Sequence, residues 1–348
     1  MTASVPLAVD EAAAEDSFEL VCPAGSLPAL KAAVDAGADC VYLGMRDATN
    51  ARNFAGLNFT PEEAVAAVHY AHARGVKVLL AVNTYPQVMG AERWKRAIDT
   101  AAEIGIDAVI LADPGLMQYA AQTYPALTLH LSVQASATNY EAINFYRERF
   151  GVTRAILPRV LSLNQIAQLA SHTQAEIEVF GFGGLCVMVE GRCALSGYVT
   201  GVSPNTCGAC SPGSAVRWQH TAGGLESRLN GVLIDRYADG EKAAYPTLCK
   251  GRYDVAGHTY YAIEEPASLN TLELLPALQN IGVAAIKIEG RQRNAAYVAL
   301  VTRVWREALD LCARDPARYE VAGEWMTALG KVSEGQHQTL GAYSRPWK

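Results

Sequence analysis

The sequence predicts a (β/α)8 barrel, an α/β fold of the TIM type, with a long cysteine-bearing insertion between strands 7 and 8. Short apolar runs alternate with amphipathic segments along most of the 348 residues, and eight such units can be counted. The runs are apolar on both faces, which is typical of parallel strands covered by helices. No G-x-G-x-x-G motif follows the first run, so an open doubly wound sheet is the less favoured alternative.

The predicted elements follow from local signals taken in chain order. The strands are β-prone runs at residues 18–22, 40–44, 78–82, 108–111, 129–133, 155–157, 177–180 and 284–288. The helices are periodic segments at residues 26–36, 60–74, 91–104, 115–123, 140–150, 164–172 and 294–312. Ser26 is a candidate N-cap with Gly37 as the stop of the first helix. Thr60, Pro61 and Glu63 combine an N-cap, a first-turn proline and a capping-box glutamate.

Composition limits the class of protein. Half of the residues are apolar and 18% are charged, which excludes a disordered chain, a collagen-like fibre and a small disulfide scaffold. No apolar run approaches the roughly 18–20 residues needed to cross a bilayer, and the first residues are acidic. We therefore expect a cytoplasmic protein with no transmembrane segment and no signal peptide. The net charge of −6 makes broad nucleic-acid binding an unfavoured function.

The same pattern predicts the domain organisation. Residues 1–17 are expected to form a disordered acidic tail, and residues 18–313 the barrel. The insertion occupies 184–283, and residues 314–348 are expected to form an extension packed on the barrel. Because the βα loops of a parallel barrel emerge at its C-terminal face, the insertion is expected to lie over the barrel mouth.

Polar residues follow several predicted strands directly. They are Asn83, Asp113, Gln134, Arg159 and Glu289. Each one alone is most simply a helix cap or a structural hydrogen-bonding group. Five at one rim of a barrel favour a polar substrate pocket, although no catalytic role can be assigned to any of them.

Five of the eight cysteines fall in the predicted insertion: Cys186, Cys193, Cys207, Cys210 and Cys249. Clustered thiols in a reducing compartment favour metal binding over disulfides. A structural zinc site usually has two C-x-x-C pairs, and only Cys207 and Cys210 form one. An iron–sulfur cluster tolerates irregular spacing. A redox dithiol is disfavoured because no thioredoxin-like unit surrounds it. A role as buried apolar residues fits the other three cysteines better, and spacing alone does not decide between iron and zinc.

Several motifs resemble the peptidase U32 family. They are LVCPAG at 20–25, NARNFAGLNFT at 50–60, SVQAS at 132–136, the cysteine insertion and KIEGR at 287–291. The resemblance is strongest to the members that take part in ubiquinone biosynthesis, through ESRLN at 226–230, YPTLCKGRY at 245–253 and TLGAY at 339–343. It covers the chain from Phe18 to Trp347.

The resemblance implies a [4Fe-4S] cluster held by Cys186, Cys193, Cys210 and Cys249, with Cys207 outside the ligand set. It also implies oxygen-independent hydroxylation of prenylated phenol precursors of ubiquinone, with prephenate as the hydroxyl donor. The implied partners are a UbiV-like protein, as a heterodimer, and a UbiT-like lipid carrier. No Ser-His-Asp, H-E-x-x-H or G-x-S-x-G arrangement supports a peptidase.

Two alternatives stay open at this point. Other family members hydroxylate tRNA or rRNA, and a metal-stabilised scaffold for quinone synthesis would need no catalysis. In the hydroxylase hypothesis a dianionic donor requires fixed cations, for which the candidates are Arg52, Arg159, Lys287 and Arg291. Each of these cations could instead form a structural ion pair, with Glu289 as the nearest counter-charge in the sequence.

Overall fold

Eight parallel strands close into a barrel in this computed structural model, which describes residues 18–186, 193–335 and 337–344. The barrel strands are β1 (Glu19–Pro23), β2 (Cys40–Leu43), β3 (Lys77–Val82), β4 (Ala108–Leu111), β5 (Thr128–Leu131), β6 (Val152–Ile156), β7 (Glu176–Gly184) and, after the insertion, β14 (Ala285–Ile288). β14 pairs in parallel with both β1 and β7, which closes the sheet. The predicted fold class is therefore confirmed. The predicted tail 1–17 lies outside the described residues.

Helices cover the outside of the barrel at the predicted places. They are α1 (Leu27–Asp35), α2 (Pro61–His72), α3 (Glu92–Glu103), α4 (Pro114–Thr123), α5 (Tyr140–Phe150) and α6 (Leu163–Ala170). The predicted caps form: Ser26 Oγ accepts a hydrogen bond from the Ala29 amide. Thr60 and Glu63 make a reciprocal capping box. These bonds satisfy amides that a helix leaves without an internal partner.

Strand β5 ends two residues earlier than predicted. Ser132 Oγ accepts a hydrogen bond from the Gln134 amide, and Val133–Ala135 forms a single 3-10 turn. The apolar run continues through Val133, so periodicity alone does not reveal that a side-chain cap ends the strand. Strand β7 runs longer than predicted because its glycines extend the ladder to Gly184.

The insertion has β structure of its own. It contains α7 (Ala194–Thr200), α8 (Pro204–Cys207), a three-stranded antiparallel sheet of β8 (Val216–Thr221), β9 (Gly224–Leu229) and β10 (Val232–Tyr237), and a hairpin of β11 (Arg252–Val255) and β12 (His258–Tyr261). Most side chains of β8 and of the hairpin are exposed. Such strands carry little of the apolar signal on which sequence prediction depends.

The barrel wall resumes earlier than the predicted insertion boundary at 283. Strand β13 (Ser268–Asn270) pairs antiparallel with β7. Helix α9 (Leu275–Ile281) then contacts α6 and α10 (Ala295–Arg314), as an outer barrel helix does. Because of these contacts, residues 268–281 belong to the wall and not to the insertion. Sequence periodicity does not reveal β13 and α9, because both elements are too short.

The C-terminal residues that the structure describes pack on the barrel. In α11 (Gly323–Val332), Trp325 Nε1 donates to a carboxylate oxygen of Glu307 on α10 at 3.0 Å. Strand β15 (Gln338–Thr339) pairs in parallel with β13. The hydroxyl of Tyr343 donates to the carbonyl of Phe180 on β7 at 2.9 Å. No helix among the described residues has the length and apolarity to span a membrane.

Candidate functional site

A small cavity of about 60 Å³ lies at the C-terminal mouth of the barrel. Seven of the eight polar residues proposed from the sequence line it: Arg52, Asn83, Gln134, Arg159, Lys287, Glu289 and Arg291. The eighth, Asp113, does not line this cavity. Its carboxylate accepts a hydrogen bond from the Leu116 amide at 3.0 Å, so it caps α4.

Strand ends position the neutral side chains of this mouth. Asn83 follows β3 directly, and its Oδ1 accepts from the Ala51 amide at 2.9 Å. Its Nδ2 donates to Ser132 Oγ at 3.0 Å, which links the ends of β3 and β5. Ser132 in turn holds the turn that carries Gln134. These bonds fix the loops after β2, β3 and β5 relative to one another.

The cations of the mouth have different partners. Arg52 Nε lies 3.3 Å from Glu289 Oε1, the counter-charge expected from the sequence. Lys287 pairs instead with Glu178, at 2.7 Å. Arg291 donates to Asn50 Oδ1 at 2.9 Å and to the Ala51 carbonyl.

Arg159 is anchored by the strand that leads into the insertion. It donates to the Gly184 carbonyl, and its guanidinium lies 4.3 Å from the centroid of the Phe180 ring. Both partners belong to β7. The side chain therefore stands between the barrel wall and the start of the insertion.

Tyr42 lines the mouth and Glu178 is the ion-pair partner of Lys287, but neither was predicted from the sequence. Glu178 is fully buried in the barrel, where Lys287 and Arg154 face it. Burial alone would raise its pKa, but these two cations hold the pKa below its ordinary value. The Lys287 ammonium also lies 3.9 Å from the centroid of the Tyr42 ring. The alternation in EIEVF at 176–180 places Glu176 and Glu178 on one face and could have indicated an acidic barrel interior.

The mouth carries an excess of positive charge. Four cations line it with one carboxylate, Glu289, and only one of the four, Lys287, pairs with the more deeply buried Glu178. Burial alone would raise the pKa of Glu289, but Arg52, Arg159 and Arg293 lower the pKa to about 2. The carboxylate therefore stays ionised, and the remaining positive charge suits an anionic ligand.

A larger cavity of about 510 Å³ lies between the barrel and the insertion. Cys186, Cys193, Cys210 and Cys249 all line it, whereas Cys207 does not. The two cavities share part of their walls, namely Ala51, Arg52, Gln134 and Glu289. The described part of the C-terminal extension contributes Ser333, Glu334 and Gly335 to the far wall. The cavity of the four cysteines and the cationic mouth are thus adjacent and share a wall.

The thiols interact electrostatically across this space. Burial raises the pKa of Cys210 and of Cys249, and the neighbouring Cys193 raises both further. Arg52 and Lys250 act in the opposite direction on Cys210, and Lys250 does so on Cys249. All four cysteines are free of disulfides. Positively charged or metallic neighbours would favour their thiolate forms.

The donor set can be tested against the two metal alternatives. Within the described residues, no three His, Cys, Asp or Glu side chains converge closely enough to hold a single metal ion. A tetrahedral zinc ion with Zn–S bonds of about 2.3 Å would bring its sulfurs within about 4 Å of each other. A cluster of several iron atoms separates its four cysteines more widely. Four thiols around one cavity supply the soft donors that an iron–sulfur cluster or a zinc ion takes.

A tight contact joins the barrel to the cysteine-bearing segment. The Arg52 amide donates to the Gly208 carbonyl at 2.6 Å. Gly208 has φ +81°, and a Cβ there would lie 2.3 Å from the Asn50 carbonyl oxygen. Ser196 also donates to the Cys210 carbonyl. Only glycine permits this approach, which fixes Cys210 beside the rim of the barrel.

Comparison with known proteins places this site in a family context. The model of peptidase family U32 matches residues 25–346. An uncharacterized protease of Methanocaldococcus jannaschii is 34% identical, and the match covers 94% of this chain and 73% of the relative. The tRNA hydroxylation protein P1 of Bacillus subtilis is 31% identical over 90% of this chain and 68% of its own. The tRNA hydroxylation protein P of Escherichia coli is 32% identical, with coverage of 84% and 68%.

Proposed function

We propose that this chain, which belongs to peptidase family U32, is the iron–sulfur component of an oxygen-independent hydroxylase. One observation carries the proposal: four cysteines from the insertion line a cavity that shares part of its wall with a cationic barrel mouth. The relatives named as tRNA hydroxylation proteins support the reaction class. The protease name of another relative leaves the expected absence of peptidase activity as a prediction.

In this proposal Cys186, Cys193, Cys210 and Cys249 hold a [4Fe-4S] cluster, which supplies one-electron redox chemistry when bound. The cations of the mouth bind the carboxylates of a hydroxyl donor, with prephenate as the proposed donor. The exchange replaces a ring C–H by C–OH and the donor's C–OH by C–H. The two-electron oxidation of the ring is therefore balanced by a two-electron reduction of the donor.

For the substrate we propose a prenylated phenol precursor of ubiquinone, as for the UbiU branch of the family. The motifs at 226–230, 245–253 and 339–343 support this assignment by resemblance. The larger cavity supports it chemically, because Phe54, Leu57 and Leu185 give it an apolar wall that suits an aromatic ring. A UbiV-like protein as heterodimer partner and a UbiT-like carrier for the lipid belong to the same proposal.

Hydroxylation of tRNA is the second candidate, and the names of the relatives favour it more directly than they favour quinone synthesis. An RNA substrate requires a basic surface with exposed aromatic side chains. Strand β8 offers Arg217 and the half-exposed Trp218 as a local patch of this kind. The net charge of −6 argues against an extended basic surface for RNA.

Complementation separates the two substrates. The chain would be expressed without air in two strains, one deficient in anaerobic quinone synthesis and one deficient in tRNA hydroxylation, each with and without a UbiV-like partner. We expect restored quinone in the first strain, dependent on the partner and on Cys186, and no restored tRNA hydroxylation in the second. Restored tRNA hydroxylation alone would replace the quinone assignment by the second candidate.

A further inference from the structure

The amide of Gln134 stands where the two cavities meet. It lines both of them, together with Arg52 and Glu289. Its side chain is 7% exposed. On the mouth side it faces the cations that suit a carboxylate, and on the other side it faces the space bordered by the four cysteines. The amide is therefore part of the wall that the two cavities share.

The backbone of Gln134 is held on both sides. Its amide donates to Ser132 Oγ at 3.2 Å, and its carbonyl accepts from the Tyr85 hydroxyl at 2.9 Å. The 3-10 turn that contains Gln134 ends at Ser136, whose backbone is left-handed with φ +53°. The turn is therefore fixed before any ligand arrives, and the side chain projects from a defined position.

The Oε1 atom of Gln134 is buried and has no hydrogen-bond donor among the described residues. A buried acceptor without a partner costs about 1–3 kcal/mol. Arg52, the nearest cation on the shared wall, pairs with Glu289. A hydrogen-bond donor on a ligand could therefore satisfy Gln134 Oε1.

We infer that Gln134 Oε1 accepts a hydrogen bond from the hydroxyl group of a carboxylate ligand whose anionic end lies in the barrel mouth. This inference rests on the proposed function and assigns the hydroxyl recognition of its donor to one atom. Gln134 is then a specificity-determining residue: it selects hydroxylated carboxylates over analogues that lack the hydroxyl. A site built to bond a hydroxyl discriminates strongly, because the analogue leaves the buried acceptor unpaired.

The test uses the anaerobically prepared, cluster-loaded protein and two probes, prephenate and its 4-deoxy analogue, which keeps both carboxylates and lacks only the ring hydroxyl. Gln134→Met removes the acceptor with little change in size. Gln219→Met makes the same change at an exposed glutamine of β8 that lines neither cavity. We expect Gln134→Met to weaken prephenate binding about tenfold or more and binding of the 4-deoxy analogue less than twofold, by titration calorimetry. Gln219→Met should change neither.

The Tm of the ligand-free variants distinguishes ligand recognition from a structural role, because loss of a structural side chain would lower the Tm. Because Oε1 has no partner to lose, Gln134→Met should not lower the Tm. An equal loss of affinity for both probes, or no loss for either, overturns the inference and leaves the proposed function standing. Failure of prephenate to bind the unmodified protein overturns the inference together with the proposed donor.

Discussion

At the scale of single residues, the barrel interior holds a network of ion pairs between buried and half-buried side chains. Glu178 contacts Lys287 on β14 and Arg154 on β6, and Arg154 also reaches Glu19 at 2.6 Å and Glu176 at 2.5 Å. Removing one partner of such a network leaves a buried charge uncompensated, which typically costs about 3–5 kcal/mol. We therefore expect the loss of any one of these side chains to lower the free energy of unfolding.

His130 is buried near these charges, and we expect it to make the stability depend on pH. Burial lowers its pKa to about 4, whereas an unfolded histidine titrates near 6.5. Between these values the unfolded chain binds a proton that the folded chain does not. Stability should therefore fall as the pH drops from 6.5 to 4, by up to about 3 kcal/mol. Urea unfolding at pH 7 and pH 5 measures it, and His130→Leu should flatten the difference.

His220, exposed on β8, provides the control for this measurement. His220→Leu should leave the difference between pH 7 and pH 5 as it is in the unmodified protein. An unchanged difference in His130→Leu would show that other groups cause the pH dependence.

Cys249 and Cys207 form a second matched pair. Both are half-buried cysteines of the insertion, but only Cys249 lines the larger cavity. Cys249→Ser should lower the iron and sulfide content of protein isolated without air severalfold, because a hard oxygen replaces a soft thiolate. Cys207→Ser should retain the iron and sulfide. Equal loss in both variants would remove Cys249 from its proposed role.

At the scale of elements, the loop after β2 and the cysteine-bearing turn are held together by backbone contact. Gly208→Ala would drive a Cβ into the Asn50 carbonyl, and the turn that carries Cys210 would have to move. Gly201→Ala offers the matched control, because Gly201 has φ +72° but open space around its Cβ position. Both variants incur left-handed strain of about 1 kcal/mol.

We expect Gly208→Ala to lose bound iron and to unfold at lower urea than Gly201→Ala. Gly201→Ala should keep its iron. Iron content and urea midpoints of both proteins check this prediction. Similar iron content in the two variants would mean that the contact at Gly208 does not position Cys210.

At the scale of the whole molecule, the C-terminal extension is bound to the barrel and also to the cavity wall. Tyr343 reaches the Phe180 carbonyl on β7, and Lys250 of the insertion lies 3.3 Å from Glu334. Tyr343→Phe should lower the free energy of unfolding by about 1 kcal/mol, since it leaves a buried carbonyl with one bond fewer. Tyr198→Phe, at an exposed position of α7, is the control and should have no effect. Identical urea midpoints for both variants would contradict the prediction.

The barrel could be predicted from the sequence because its signals are local. Ser26 and Thr60 mark helix starts, and fully buried residues such as Leu20 and Val78 make each strand apolar on both faces. The sheets of the insertion could not be predicted, because strands such as Val216–Thr221 are mostly exposed. The partner of Lys287 was also out of reach, since Glu178 lies 109 residues away and meets it only through barrel closure.

The cysteines and the cations of the site come from different parts of the chain, which affects how the site can evolve. All four cysteines of the larger cavity come from the single excursion of the chain after β7, whereas the cations come from the strand ends and loops of the barrel itself. Replacing the excursion would change the lining of the larger cavity and leave the cations of the barrel mouth in place. A lineage could therefore alter what the larger cavity binds while the charge of the mouth stays the same.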